Sequence, residues 1–244
     1  MVPSQPPPPV AVTTSVSGDR PLVGILLIVG AMSVVPFMDA IAKHLSGHLP
    51  VVQLVWARYF FHFCLIFPVV LWRYGPRRLV PARPLLQLLR GGLLLGSTLL
   101  FFAALAHMPM ADALALIFIS PLIVTALSPW VLGEEVGLRR RVAVLVGFMG
   151  ALLIIRPGIG AVQWPALLAL GAGLVFGCYL LATRRLAGSA PPLVTLTYSA
   201  AAGALLMSLA VPFFWVMPSA MDFAAMAMMG LIAAGGHFLL IKAF

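Results

Sequence analysis

A chain of 244 residues that is 62% hydrophobic and 9% charged cannot cover its apolar side chains with polar ones in water. Its mean hydropathy of +1.10 points instead to lipid as the surrounding solvent. The 15 Lys and Arg against six Asp and Glu lie in short clusters between apolar runs, not on one basic face with interleaved aromatics, which argues against nucleic acid as a partner.

Residues 1–20, with four consecutive prolines from Pro6 to Pro9, read as a disordered or polyproline tail. They do not read as a signal peptide, because no basic region precedes the first apolar run and that run is too long. Eight helical crossings then follow: Leu22–Ala42, Val51–Trp72, Leu85–Ala106, Pro109–Leu132, Val142–Ile155, Trp164–Ala182, Leu193–Val216 and Phe223–Phe244. The runs are continuously apolar instead of alternating, so they predict helices and not barrel strands. Val142–Ile155 is short, and Arg141 and Arg156 are placed to snorkel at its ends.

Arginine and lysine set the orientation. Arg73, Arg77, Arg78, Arg83 and Arg90 follow the second crossing, Arg139 to Arg141 the fourth, and Arg184 with Arg185 the sixth. The opposite side keeps Lys43 and Arg156. The N-terminus and these three loops are therefore expected in the cytoplasm, and the protein in the inner membrane.

The chain also repeats itself. Leu27–Pro50 falls without a gap on Leu168–Pro191, matching Gly30-Ala31 to Gly171-Ala172, Lys43 to Arg184, and Gly47-x-x-Pro50 to Gly188-x-x-Pro191. Further on, Gly91, Gly96 and Ala104 fall on Gly230, Gly235 and Ala243. Two ordered matches at nearly one offset argue for an internal duplication of roughly 140 residues. The expected division is a tail over 1–20, a first repeat of five helices over 21–158, and an incomplete second repeat of three helices over 163–244. Five crossings is an odd number, so the second copy enters the membrane inverted, as in many secondary transporters. The same arithmetic leads to the expectation that the gene, or a full-length relative, continues about 50 residues past Phe244.

Met108-Pro109-Met110-Ala111-Asp112-Ala113-Leu114-Ala115-Leu116-Ile117-Phe118-Ile119-Ser120-Pro121-Leu122 is the most specific passage. Gly133-Glu134-Glu135, Gly147, Gly150 and Ile155-Arg156-Pro157-Gly158 follow it. In residue types and order this resembles the end of a first repeat in the drug/metabolite transporter superfamily, specifically the duplicated EamA-type domain. Asp39-x-x-x-Lys43 and Arg58 resemble a subgroup of metabolite carriers. The resemblance implies an all-α membrane protein of inverted five-helix repeats, ten helices around a central cavity, of which eight are present here. It carries no substrate motif.

Candidate cavity residues are Asp39, Arg58, His62, Thr98 and His237. Asp39 is the one acidic residue well inside a crossing, where a charge is a functional candidate by default. Its bland alternative is an ion pair with Lys43, one turn on. Arg58 stands one turn before His62, and the pair either lines a cavity or serves to neutralise Asp39. Depths along antiparallel helices predict an Asp39–Arg58 pair. Thr98 and His237 occupy matched positions in the third and eighth crossings, where midplane binding is expected; the alternative is a bond to a carbonyl one turn back, or to a neighbouring helix. Gly91, Gly92, Gly96, Gly230, Gly235 and Gly236 read as close helix contacts.

Several other residues read as structural. Asp112 suits a helix N-terminus, Glu134 and Glu135 a solvated loop, and the methionines from Met221 to Met229 adaptable packing. Cys64 and Cys178 have no pairing or ligand spacing. Nucleophile, metal-ligand and phosphate-loop signatures are lacking, so no enzyme, cofactor or metal is expected.

The function this implies is secondary transport of a small polar metabolite, such as an amino acid, a nucleoside-like or vitamin-like compound, or an organic cation, by alternating access. Its rival is an inactive fragment or an accessory helical subunit. Expected partners are the lipid bilayer, a small-molecule substrate and, at most, a second copy of the chain in a homodimer.

Overall fold

Proline and glycine punctuate this chain where its helices begin and end. The computed structural model describes residues 21–76, 79–81, 83–155 and 164–243, and those residues are helical almost throughout. Helix α1 spans Pro21–Leu45 and α2 spans Val51–Tyr74, entered from an extended Pro50 (φ −62°, ψ 141°). Helix α3 spans Pro84–His107, with its proline in the first turn, where a missing N–H costs nothing. Helices α4 (Met110–Ile117), α5 (Ser120–Leu132) and α6 (Leu138–Ile155) follow. The left-handed Gly133 (φ 72°) closes α5 by donating to the Pro129 carbonyl, a conformation that costs other residues about 1–2 kcal/mol. Helix α7 spans Trp164–Arg185 and α8 Pro192–Ala210, continued by a 3-10 turn over Val211–Phe214; α9 spans Ala220–Ala243. Pro191 enters α8 at φ −56° and ψ 139°, nearly the geometry of Pro50 before α2.

Five of these segments are long and apolar enough to cross a membrane: α2, α3, the α4–α5 unit, α7, and α8 with its 3-10 turn. The surface agrees with a lipid setting. Trp72 and Trp130 are 86% and 80% exposed, which a water-facing surface would disfavour. Lipid accepts such side chains while requiring the backbone to satisfy itself, which continuous helices do.

The fourth crossing departs from the single helix expected over Pro109–Leu132. It breaks at Phe118 and Ile119 into α4 and α5. Pro121 has no N–H to give to the Ile117 carbonyl four residues back, so α4 ends at Ile117 and a new helix starts at Ser120 with proline in its first turn. Helix α7 accommodates the break. A methyl group on Gly173 would lie 2.5 Å from Ile119 Cγ2 and 3.1 Å from the Ile117 carbonyl oxygen, and one on Gly177 would lie 3.1 Å from the Ser120 carbonyl oxygen.

Packing follows a pattern of exchange. Helix α3 lies most extensively on α7 and α1 on α9, α2 faces α8, and the crossed pairs α2–α9 and α3–α8 complete the centre. Exchanging α1 with α7, α2 with α8 and α3 with α9 returns the same set. Gly91 and Gly230 are the matched contact points. A methyl group on Gly91 would meet Ala202 Cβ of α8 at 2.9 Å, and one on Gly230 would overlap Phe61 of α2. Gly92 and Gly235 have nothing within 4 Å, contrary to the expected contacts, because they face away from the crossing. Helix α6 packs mainly on α5 and α4.

Arg90 also departs from expectation. It is counted above with the loop arginines, although the expected span Leu85–Ala106 includes it; it lies inside α3, 3% exposed, because residues of α7 and α8 close over it. The tail over 1–20, the loop residues Arg77 and Arg78, the segment 156–163 with Arg156, and the side chain of His237 lie outside the described residues.

Candidate functional site

Of the candidate residues, Arg58 and Thr98 are brought into contact across α2 and α3, while Asp39 and His62 are buried on α1 and α2. Asp39 sits on α1, 4% exposed among the apolar core residues Met38 and Ala42. Arg58 and His62 lie one turn apart on α2, and His62 is buried. Thr98 lies on α3, also buried.

Thr98 joins the set. Its hydroxyl donates to the Leu94 carbonyl, one turn back, at 2.9 Å. Because that hydrogen is committed, the oxygen accepts: Arg58 Nη1 donates to it at 2.8 Å and the Tyr59 hydroxyl at 3.0 Å. The bond one turn back and a bond between helices coexist here. Arg58 further rests over the rings of Tyr59 and Phe102, at 5.4 and 5.8 Å from their centroids. Tyr59 is held in turn by Gly203 of α8, where any side chain would overlap its ring.

The expected Asp39–Arg58 ion pair is replaced by a longer interaction. No ion pair joins the two among the described residues, and Arg58 turns its donor to Thr98 instead. The alternative partner is also engaged elsewhere. Lys43 Nζ donates to the Leu105 carbonyl at 2.6 Å and to the Met108 carbonyl at 3.1 Å, so it caps the C-terminal end of α3. A cation there satisfies carbonyls left without an intrahelical partner and meets the negative end of the helix dipole.

A second polar group, which sequence reasoning missed, lies where α3 begins and α7 ends. Arg90 Nη1 donates to the Tyr179 hydroxyl at 3.2 Å and to Thr183 Oγ1 at 3.1 Å. Its Nη2 donates to the Thr195 carbonyl at 2.8 Å and to Ser199 Oγ at 2.6 Å. Gln87, one turn before it, reaches Ser189 Oγ and Thr195 Oγ1 through Nε2. The expected crossing over Leu85–Ala106 already holds Gln87 and Arg90 one turn apart on one face, and that spacing is the signal that could have flagged both.

At the opposite end of the bundle, Gln53 clamps the stretch before α9. Its Nε2 donates to the Val216 carbonyl at 2.9 Å, and its Oε1 accepts from the Val216 N–H at 3.0 Å. Nearby, Ser219 and Asp222 form a reciprocal cap at the start of α9, and His48 Nε2 pairs with Asp222 Oδ1 at 3.1 Å. The Ser219 hydroxyl, and then His48, hold the Asp222 carboxyl below the usual carboxylate range. That pair ties the α1–α2 turn to α9.

Asp112 is exposed in the first turn of α4, and Glu134 and Glu135 are exposed between α5 and α6, as expected of structural residues. Met226 and Met229 are core residues, while Met221 faces outward. Cys64 and Cys178 are free thiols.

Comparison with known proteins places this geometry in a context. The model of the EamA-like transporter family matches residues 22–156, more than half of the chain. The S-adenosylmethionine uptake transporter of Rickettsia prowazekii is 26% identical over 206 residues, covering 84% of this chain and 70% of that protein. A riboflavin transporter of Rhizobium johnstonii is 30% identical over 143 residues, 58% of this chain and 47% of that one. The pseudopaline exporter CntI of Pseudomonas aeruginosa is 34% identical over 136 residues, 55% of this chain and 46% of that one. A solved crystal structure shares the fold at a TM-score of 0.64 and 23% identity, over 91% of this chain and 77% of the other. These relatives are small-molecule transporters and not enzymes, and they include both an importer and an exporter. A multi-pass helical bundle whose first part matches the family model throughout belongs, with them, to the EamA-like transporter family.

Proposed function

We propose that this chain is a secondary transporter that carries a small polar metabolite across the inner membrane by alternating access. The observation that carries the reading is the Arg58–Thr98–Tyr59 group, with the Asp39 carboxyl buried on α1. Charge inside a lipid-facing bundle is expensive, and it is kept where it handles a substrate or an ion. Tyr59, Thr98 and Asp39 are buried, and Arg58 is half-buried between them. Arg58 therefore offers its remaining donors to a polar solute at this place. Asp39 offers a carboxylate, and His62 is one turn from Arg58. His237 is the match of Thr98 in the duplicated sequence pattern.

Alternating access rests on the reading of residues 21–158 and 163–244 as two inverted repeats. The exchange pattern of the helix contacts supports it, as do the matched Gly91 and Gly230 contacts. A fixed polar centre with two halves that rock around it is the arrangement known for such transporters. The broken α4–α5 unit, seated on Gly173 and Gly177, is the kind of discontinuous helix found near transport sites.

Untargeted metabolite profiling of cells with and without the intact gene identifies the substrate, and uptake of that compound into proteoliposomes measures the activity. Arg58→Gln removes a charged hydrogen-bonding group worth about 1.5–3 kcal/mol, so uptake at low substrate concentration should fall by about tenfold or more. Identical metabolite profiles in the two strains, together with inert proteoliposomes, would instead favour an accessory subunit that moves nothing.

A further inference from the structure

We propose that the groove between α5 and α6 holds an anionic phospholipid, with the headgroup phosphate on Arg141 and an acyl chain along the apolar wall. The groove has a volume of about 450 Å³, and Thr125, Ala126 and Trp130 of α5 line it together with Arg141, Val144 and Leu145 of α6. That volume falls within the range of small-molecule sites, about 300–1,000 Å³.

The polar end of the groove has donors to spare. Arg141 is exposed, and its Nε donates to the Val136 carbonyl at 3.1 Å. That bond fixes the guanidinium at the start of α6 and leaves Nη1 and Nη2 without a partner among the described residues. Two parallel N–H groups on that remaining edge suit two oxygens of a phosphodiester. Trp130 is 80% exposed, and its Nε1–H makes no hydrogen bond among the described residues. An indole so placed suits the membrane interface, with its ring among the upper chains and its N–H toward an ester oxygen.

Polarity falls along the groove as it does along a phospholipid. Trp130 lies in the last turn of α5 and Arg141 in the first turn of α6, so both sit at the same end of this helix pair. Thr125 and Leu145 lie about 6–8 Å further in, at the standard helical rise. There Ala126, Val144 and Leu145 present an uncharged wall to a chain.

The sign of the charge selects the headgroup. Arg141 is the one charged residue in the lining among the described residues. Glu134 and Glu135 line the neighbouring cavity between α5, α6 and α7 instead, together with Arg140 and Arg184. A choline or ethanolamine ammonium in the groove would therefore meet a cation and no carboxylate. A glycerol headgroup brings the phosphate charge alone, and the exposed Arg139 and Arg140 on the same turn add to the attraction.

Native mass spectrometry of the purified full chain tests this, after exchange into equal amounts of phosphatidylglycerol and phosphatidylcholine with matched acyl chains. The unaltered chain should retain phosphatidylglycerol in preference. Arg141→Gln should weaken that retention about fivefold, the weight of one basic residue at an anionic lipid surface. Ala126→Phe keeps every charge but fills the groove, and it should weaken retention as well. Both positions are exposed, so neither change disturbs the core. Arg139→Gln, whose arginine does not line the groove, should stay close to the unaltered chain. No preference for phosphatidylglycerol, or displacement of the lipid by inorganic phosphate, would overturn the site. Equal losses in Arg139→Gln and Arg141→Gln with none in Ala126→Phe would reduce it to diffuse surface attraction and overturn it too. A dimer that carries no lipid would do the same, giving the groove to a second copy of the chain. Lipid retention is read without a transport assay, so the outcome stands whether or not the chain carries a metabolite.

Discussion

Arg58 could not be placed by its depth in the membrane alone. Counting along the helices gives Asp39 and Arg58 similar depths, yet the guanidinium donates to the Thr98 hydroxyl oxygen at 2.8 Å and makes no ion pair with the carboxylate among the described residues. Two thermodynamic cycles separate the arrangements. Arg58→Gln and Thr98→Val share one hydrogen bond, so their stability losses should be non-additive by about 0.5–3 kcal/mol. Arg58→Gln and Asp39→Asn, which share no hydrogen bond or ion pair among the described residues, should couple less strongly. Denaturation of the purified variants measures both couplings. A larger coupling for the Asp39 cycle would restore a direct ion pair. Lys43 shows the same lesson, since its position one turn from Asp39 suggested a partner that the α3 carbonyls supply instead.

Among the elements, small residues decide how close helices come, and spacing in the sequence does not say which of them do. Gly91 and Gly92 are neighbours in α3, but only Gly91 faces α8. Gly91→Ala should therefore destabilise by about 1–3 kcal/mol through overpacking. Gly92→Ala, with open space around it, should be neutral or gain up to about 1 kcal/mol from helix propensity. Unfolding of the two variants side by side checks this, and equal losses would mean that the α3–α8 crossing is not as close as described. The α4–α5 break belongs to the same scale. Pro121 announces an interruption, but only the glycines of α7 show that the interrupted backbone is packed against another helix instead of facing lipid.

For the whole molecule, the contacts sort the chain ends into two groups. Lys43 meets the end of α3, and His48 meets the start of α9. Arg90 joins the start of α3 to the end of α7 and the start of α8. The grouping fits strict alternation of the crossings, and from the arginine clusters we infer that the second end is the cytoplasmic one. In a background with Cys64 and Cys178 replaced by alanine, a cysteine at Arg140 or Ala187 should resist an impermeant thiol reagent in intact cells. One at Gly47 should react. The reverse pattern of labelling would turn the molecule over and put Asp39 toward the cytoplasmic side.

The sequence alone determined the solvent, the helical class and the five spans long and apolar enough to cross a membrane, because apolar run length and glycine and proline placement are local and survive without knowledge of neighbours. It also marked Asp39, Arg58 and Thr98, since polar groups in apolar runs stand out. Tertiary structure decided their partners. Tyr59 reads as an ordinary aromatic until Thr98 and Gly203 are seen around it, and Arg90 reads as one more loop arginine until α7 and α8 close over it. Burial and hydrogen bonding between residues far apart in the chain depend on how helices rotate against one another. That rotation is fixed by the summed packing of many side chains, which no short stretch of sequence contains.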